Sequence, residues 1–202
     1  MVMRLLKRVW HFLWYDESIL SWLANLVLAF LLVKFVIYPG IGFLLGTDFP
    51  IVAVVSSSME HNGIELENWY HGSRWYIDNG ITVEQFSKFP FRNGFNKGDI
   101  MILKGGEPKD IKVGEVVVYE SYRHSNPIIH RVVKINVGSD EGDEGQEGQE
   151  RYNFVTKGDN NGDVDSGVVV EDQIKRTGKA IFRIPLLGWI KIWFVNLVGS
   201  GK

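Results

Sequence analysis

Cysteine is absent from these 202 residues. Its absence excludes disulfides, thiolate catalysis and cysteine-ligated zinc or iron–sulfur centres, but assigns no compartment. A large excess of charge of one sign is lacking as well. A net charge of −2 gives no global field that would favour nucleic acid, and no nucleic acid is expected as a partner. That balance hides one acidic stretch, 139–150, which carries Asp140, Glu141, Asp143, Glu144, Glu147 and Glu150 and no basic residue. Without those six carboxylates the net charge would be +4, which suits work beside anionic lipid. Lysine and arginine are also missing from 39–60, directly after the longest apolar run.

That run, 19–38, is the clearest physical signal. Only Ser21, Asn25 and Lys34 interrupt it, and about twenty residues at 1.5 Å each span the ~30 Å hydrocarbon core of a bilayer. Lys34 lies near one end, where its stem can snorkel to the interface. Arg4, Lys7 and Arg8 precede the run, so the positive-inside rule puts 1–18 in the cytoplasm and everything after Tyr38 outside. The run is too long for a cleaved signal peptide and no Ala-x-Ala-like exit follows it; an uncleaved anchor in the cell membrane is expected. A second apolar stretch, 181–198, holds Arg183, Pro185 and Lys191. From 185 to 202 the reading is an interfacial segment or a second membrane span.

Between these ends the pattern changes to short β-branched runs punctuated by glycine. Strands are expected at 51–55, at 99–103 and 115–119 after Gly-acid turns, and at 128–137 and 152–156 as a hairpin around the acidic stretch, with a last strand at 180–184. The acidic stretch is too polar to pack and reads as a loop. Segment 60–96 differs: it is dense in aromatic residues, and Thr82-Val83-Glu84-Gln85 has the form of a capping box. It is expected to be a helical insertion whose rings pack on the domain, with a lipid-interface role as the alternative. The whole predicts a mainly β, antiparallel, partly closed domain over 50–184 with an N-terminal transmembrane helix.

Three short segments carry chemistry. Ser56-Ser57-Ser58-Met59 follows an apolar strand, so its hydroxyls sit exposed on a rigid element. A serine needs a base to take its proton. Of five histidines, His130 alone interrupts an apolar strand, Ile128-Ile129-His130-Arg131-Val132-Val133, which is costly unless the ring is paired or used. The third segment, Lys157-Gly158-Asp159-Asn160-Asn161-Gly162-Asp163-Val164-Asp165, follows the returning strand, so a carboxylate in it can reach His130 and hold its tautomer. Each segment alone has a plainer reading: a turn, a satisfied core histidine, or an Asn/Gly-rich turn resembling part of a calcium loop.

In that order and spacing the three segments resemble signal peptidase I in its archaeal and endoplasmic-reticulum form, which has histidine where the bacterial enzymes have lysine. The resemblance implies a membrane-bound serine endopeptidase that cleaves signal peptides from exported preproteins and needs no cofactor or metal. Its other implied partners are the lipid bilayer and the protein-translocation machinery. Ser58 matches the nucleophile, His130 the general base, Asp165 the triad aspartate and Asp159 a second, supporting aspartate. Ser56 matches the position that helps bind the oxyanion. Asp163 is a third carboxylate nearby, so the aspartate that orients His130 stays open. The chain departs from the family pattern in having His61 where proline often follows the methionine by two residues, and in the insertion itself. A non-catalytic, membrane-tethered β domain acting as an accessory subunit is the competing reading.

Overall fold

The computed structural model describes residues 2–121, 126–139, 150–175, 178–190 and 192–193. His124, most of the acidic stretch (140–149) and the tail from 194 onward lie outside the described residues. The chain divides into two units, residues 1–44 and 45–202.

The first unit opens with helix α1 (Val2–Tyr15). Ser18 then caps helix α2 (Ile19–Leu32) by accepting from the Ser21 N–H at 3.3 Å. A π-turn over Val33–Ile37 follows, and helix α3 (Tyr38–Leu45) continues the run. The apolar helix therefore reaches Leu45, seven residues beyond the expected end, and at 27 residues is long enough to cross a membrane. Pro39 does not stop it: proline lacks an N–H to donate, and the ladder has already shifted register in the wider turn before it. The two short polar residues of the run are satisfied locally. Ser21 Oγ donates to the Phe12 carbonyl at 2.7 Å and Asn25 Nδ2 to that of Leu13 at 2.8 Å, which removes the penalty of unpaired polar groups in an apolar setting.

The second unit is built on seven strands, β1 (Ile51–Ala53), β2 (Ile100–Lys104), β3 (Val116–Tyr119), β4 (Ile128–Ser139), β5 (Glu150–Lys157), β6 (Val169–Val170) and β7 (Lys179–Ile184). They form one curled antiparallel sheet in the order β1-β2-β7-β3-β4-β5-β6, as the strand pattern predicts. The long β4–β5 hairpin is in register from Arg131↔Lys157 to Ser139↔Glu150, with one irregularity at Val132–Lys134. β6 and the short helix α7 (Glu171–Lys175) were not legible, being too short to show a period. Strand β7 lies between β2 and β3, so Ile181–Ile184 belongs to the sheet and the second apolar stretch does not run as one helix from Ile181.

The insertion forms three short helices, α4 (Leu66–Gly72), α5 (Arg74–Asp78) and α6 (Val83–Phe86), the last opened by the expected capping box between Thr82 and Gln85. Its rings pack inward: Trp69, Tyr70, Tyr76 and Phe86 are buried with Val133 of β4. Two further cores lie on the sheet, one around Met101, Leu103, Val116 and Val118, the other around Val117, Val132 and Phe154.

Gly114 shows why the Gly-acid turns are where they are. Its φ is +95°, and a Cβ there would stand 2.1 Å from the Phe89 ring. Its N–H donates to Val132 O at 2.8 Å and its carbonyl accepts from Arg131. Gly114→Ala is expected to lower stability by about 1–3 kcal/mol from backbone strain alone. Gly106→Ala, with open space around it and no positive φ, should stay within about 0.5 kcal/mol. Paired denaturant titrations read both.

Candidate active site

Val54 ends the apolar run of β1 and is fully buried, with its N–H on Asp99 O and its carbonyl accepting from Gly98. The chain then turns, and Ser56 and Ser58 project from that turn with their hydroxyl oxygens 3.1 Å apart. Ser58 Oγ is 2.9 Å from His130 Nε2, and His130 Nδ1 is 2.6 Å from Asp165 Oδ2. Thus Ser56, Ser58, His130 and Asp165, expected from sequence to work together, are brought together. His130 sits on β4 opposite Val117 of β3, which fixes its backbone. Asp165 is fixed by its own N–H donating to Thr156 O at 2.8 Å.

Two residues that the sequence did not single out complete the carboxylate's setting. Tyr119 OH and Thr156 Oγ1 donate to the same Asp165 oxygen at 2.9 and 2.7 Å. Both stand next to recognisable residues, but only strand pairing shows that they converge. Burial opposes the charge on Asp165. Hydrogen bonding and charge from His130, with the Thr156 and Tyr119 hydroxyls, outweigh it and hold the carboxyl below its ordinary value. A carboxylate so held stays ionised, receives His130 Nδ1–H and leaves Nε2 as an acceptor facing the serine.

Asp159 lies elsewhere. Its carboxylate is fully buried and accepts from Arg131 Nε and Nη2 at 2.8 and 2.7 Å, from Tyr76 OH at 2.7 Å, and lies 3.0 Å from His61 Nε2. Burial alone would raise its pKa. The Arg131 charge, then hydrogen bonds from Arg131, His61 and Tyr76, hold it well below the usual carboxylate range. Asp163 is exposed and accepts from its neighbour Val164 N–H. Asp159, Asp163 and Asp165 thus engage separate partners and do not converge on one point; among the described residues no group of three or more acidic or histidine side chains is placed to hold a metal.

The loop carrying Asp159 is pressed against the serine turn. Asn160 N donates to Ser58 O at 2.8 Å and Asn160 Nδ2 to Ser57 O at 3.2 Å. The approach requires glycine at 158, where a Cβ would lie 2.8 Å from Ser58 O. Lys157, buried beneath, donates from Nζ to the carbonyls of Gly158, Asp159 and Asn161. Burial pulls its pKa down against the pull of Asp159, Asp165 and Asp163. Arg131 and Lys157 were readable as charges inside or beside apolar strands, the signal that drew attention to His130.

A cleft of about 410 Å³ opens beside Ser58 and His130, lined by Ala53, Val55, Pro127, Ile128 and Ile129 among others. Two strand edges face it. Among the described residues β1 is terminal in the sheet, and Ile128–His130 pair only with β3, since the β5 register begins at Arg131. Unpaired edges flanking a hydroxyl, with apolar side chains between, suit an extended peptide.

Asp159→Asn is expected to cost about 3–5 kcal/mol, because it leaves the Arg131 charge buried without its counter-ion. Both aspartates have depressed native pKa values, so the stability they contribute is complete above the unfolded value of 3.8 and is lost as pH falls through the native values. Denaturation from pH 7 to pH 2 should show that loss only on the acid side, and a smaller one in Asp165→Asn.

No family model matches the chain. In sequence it is 28% identical over 161 residues to the human signal peptidase complex catalytic subunit SEC11C, a match covering 77% of this chain and 62% of that protein. The SEC11 subunits of Scheffersomyces stipitis and Lachancea thermotolerans are 28% and 29% identical over 164 and 165 residues, covering 78% and 79% of this chain and 73% and 74% of theirs. The chain thus spans less than two thirds of the length of the mammalian relatives it matches. The three motifs and these relatives point the same way: the chain is similar in sequence to catalytic subunits of the signal peptidase complex.

Proposed function

We propose that this protein is a membrane-tethered serine endopeptidase that removes signal peptides from exported preproteins. One observation carries the reading: an unbroken relay of Ser58 Oγ, His130 and Asp165 at 2.9 and 2.6 Å, opening on a cleft between two free strand edges. The relatives' shared name, signal peptidase complex catalytic subunit, supplies the substrate class.

In this mechanism Ser58 Oγ attacks the scissile carbonyl while His130 Nε2 takes its proton, and Asp165 stabilises the imidazolium as it forms. The carbonyl oxygen gains negative charge, which the Ser58 N–H and the Ser56 hydroxyl stabilise. His130 then gives its proton to the departing amine, the new N-terminus of the mature protein, leaving an acyl ester on Ser58. Water, deprotonated by His130, attacks the ester, and the serine recovers its proton. Substrate lies extended along 51–55 with 127–129 opposite. Ala53, Val55, Ile128 and Ile129 leave shallow apolar room beside the cut, which favours small side chains. Asp159 supports the site from a distance, through the loop that touches Ser57 and Ser58.

The apolar helix Ile19–Leu45 tethers the domain to a bilayer. Arg4, Lys7 and Arg8 support, by the positive-inside rule, a start on the cytoplasmic side of the cell membrane with the peptidase domain on the other. There the domain meets signal segments leaving the translocation machinery.

Purified Ser58→Ala and His130→Ala should each lose on the order of 10⁴-fold in preprotein processing. Asp165→Asn should fall comparably, and Asp163→Asn should stay near the parent. Near-normal cleavage by the Ser58 variant would leave only a tethered binding or accessory role.

A further inference from the structure

We propose that the aromatic insertion is a brace for the nucleophile, and that His61 is the positioning residue through which it acts. This rests on the peptidase reading above and assigns a task to a segment that the reading leaves idle.

The insertion begins and ends at the same place. It departs after Met59, the residue next to Ser58, and returns at Gly94 and Phe95, where Phe95 N donates to Met59 O at 3.0 Å. A Cβ on Gly94 would stand 2.4 Å from Met59 O and 2.5 Å from the His61 ring, so the returning chain lies directly over the outgoing one. Lys97 N adds a second tie, donating to Glu60 Oε1 at 2.9 Å. The inserted residues therefore close on the nucleophile turn itself.

His61 links this closed loop to the site. Its ring stacks on Trp69 of α4, centroids 3.5 Å apart and planes within 7°, which fixes its orientation. Its Nε2 reaches Asp159 at 3.0 Å, a contact in which imidazole donates, since the carboxylate can only accept. Tyr76 of α5 holds the other carboxylate oxygen at 2.7 Å. The residue after Asp159 then grips the serine turn through Ser58 O and Ser57 O, and Asp159 N donates to Met59 Sδ at 3.3 Å. Through Arg131 the same carboxylate holds the residue next to His130 on β4. One buried aspartate thus ties the nucleophile turn, the base-bearing strand and the insertion.

The other ring nitrogen argues that this is a task and not packing. His61 is 2% exposed, yet among the described residues its Nδ1 has no hydrogen-bond partner. A buried imidazole with one unpaired nitrogen is worse than phenylalanine or leucine by desolvation. What the imidazole adds over an apolar ring at this position is the Nε2 bond to Asp159. A misplacement of the attacking oxygen of an ångström or less has a large effect on rate while leaving substrate binding intact.

The test uses the full chain in detergent micelles, with His61→Ala, His61→Gln and Tyr76→Phe, preprotein kinetics and hydrogen–deuterium exchange. Glutamine can present its Nε2–H where the imidazole did. His61→Ala should lower kcat roughly tenfold with KM within about twofold of the parent, the pH profile unmoved, and exchange increased at both 55–60 and 158–162. His61→Gln should recover most of kcat and protection, and Tyr76→Phe should shift both in the same sense by less. Parent-like kcat and exchange in His61→Ala overturn the brace. So does an equal loss in the alanine and glutamine variants that follows their folded fraction, since that is bulk and not the hydrogen bond. A parent that cleaves no preprotein overturns the peptidase reading alone, because the exchange measurement still decides whether His61 holds the two segments.

Discussion

The pairing of Arg131 with Asp159 is the contact on which the β-sheet unit of the chain turns. Neither side chain has any exposed surface. Two charges removed from water lose several kcal/mol of solvation each, and their attraction offsets this only when every remaining donor and lone pair is also used. Here they are. Arg131 directs Nε and one Nη2 bond to Asp159, both Nη1 bonds to the carbonyls of Pro90 and Gly114, and the second Nη2 bond to Phe91 O. The rings of Phe86 and Phe89 lie 5.0 and 5.8 Å from the guanidinium, adding the cation–π attraction available to a desolvated arginine. Because the carbonyl partners belong to the end of the insertion and to the turn before β3, a single side chain fixes where both stop.

Strand alternation explains how one short segment serves two separate tasks. Successive side chains on a strand leave by opposite faces, so His130 faces the cleft and Arg131 faces the insertion. The aspartate loop divides in the same way, with Asp165 on the histidine and Asp159 on the arginine. Backbone continuity of one residue on β4, and of six along the loop, couples the two clusters. The buried pair thus bears on the distance between Ser58 and His130 through the backbone that joins them.

Much of this was legible in the sequence, and the limits have physical causes. The strands were readable because β-branched runs between glycine turns leave few alternatives. The serine and histidine each stand out against an apolar strand, but alone they read as a turn and a core histidine; their order with the aspartate loop, resembling one family, is what sets them apart. The span was readable by composition, but its end was not: Tyr38-Pro39-Gly40 looks like a stop, while a local π-turn carries the helix on to Leu45. Register was invisible as well. Nothing in Tyr119 or Thr156 taken separately says that their hydroxyls meet on one carboxylate oxygen, since that depends on strands β3, β4 and β5 lying side by side in a particular alignment. The same holds for His61, whose place in the chain looked like a departure from a family pattern and whose partner is 98 residues away.

Among the described residues two histidine–carboxylate pairs stand in this domain, and what each carboxylate also holds decides which one suits base catalysis. At His61 the aspartate is bound by Nε2, and the free nitrogen, Nδ1, points at no hydroxyl and is sealed from solvent under Trp69. Its carboxylate is shared with a guanidinium, so its charge is already compensated and has less to offer an imidazolium. At His130 the order is reversed. The carboxylate is bound by Nδ1, its other partners are the neutral hydroxyls of Tyr119 and Thr156, and Nε2 faces Ser58 beside an open cleft. Hydroxyl donors stabilise the aspartate without cancelling its charge, which keeps that charge available when the imidazole takes up a proton. The same two residue types thus make a closed, buried contact in one place and leave an imidazole nitrogen facing a hydroxyl in the other, and the difference lies in the neighbours: a buried arginine beside one, two hydroxyls and a serine beside the other.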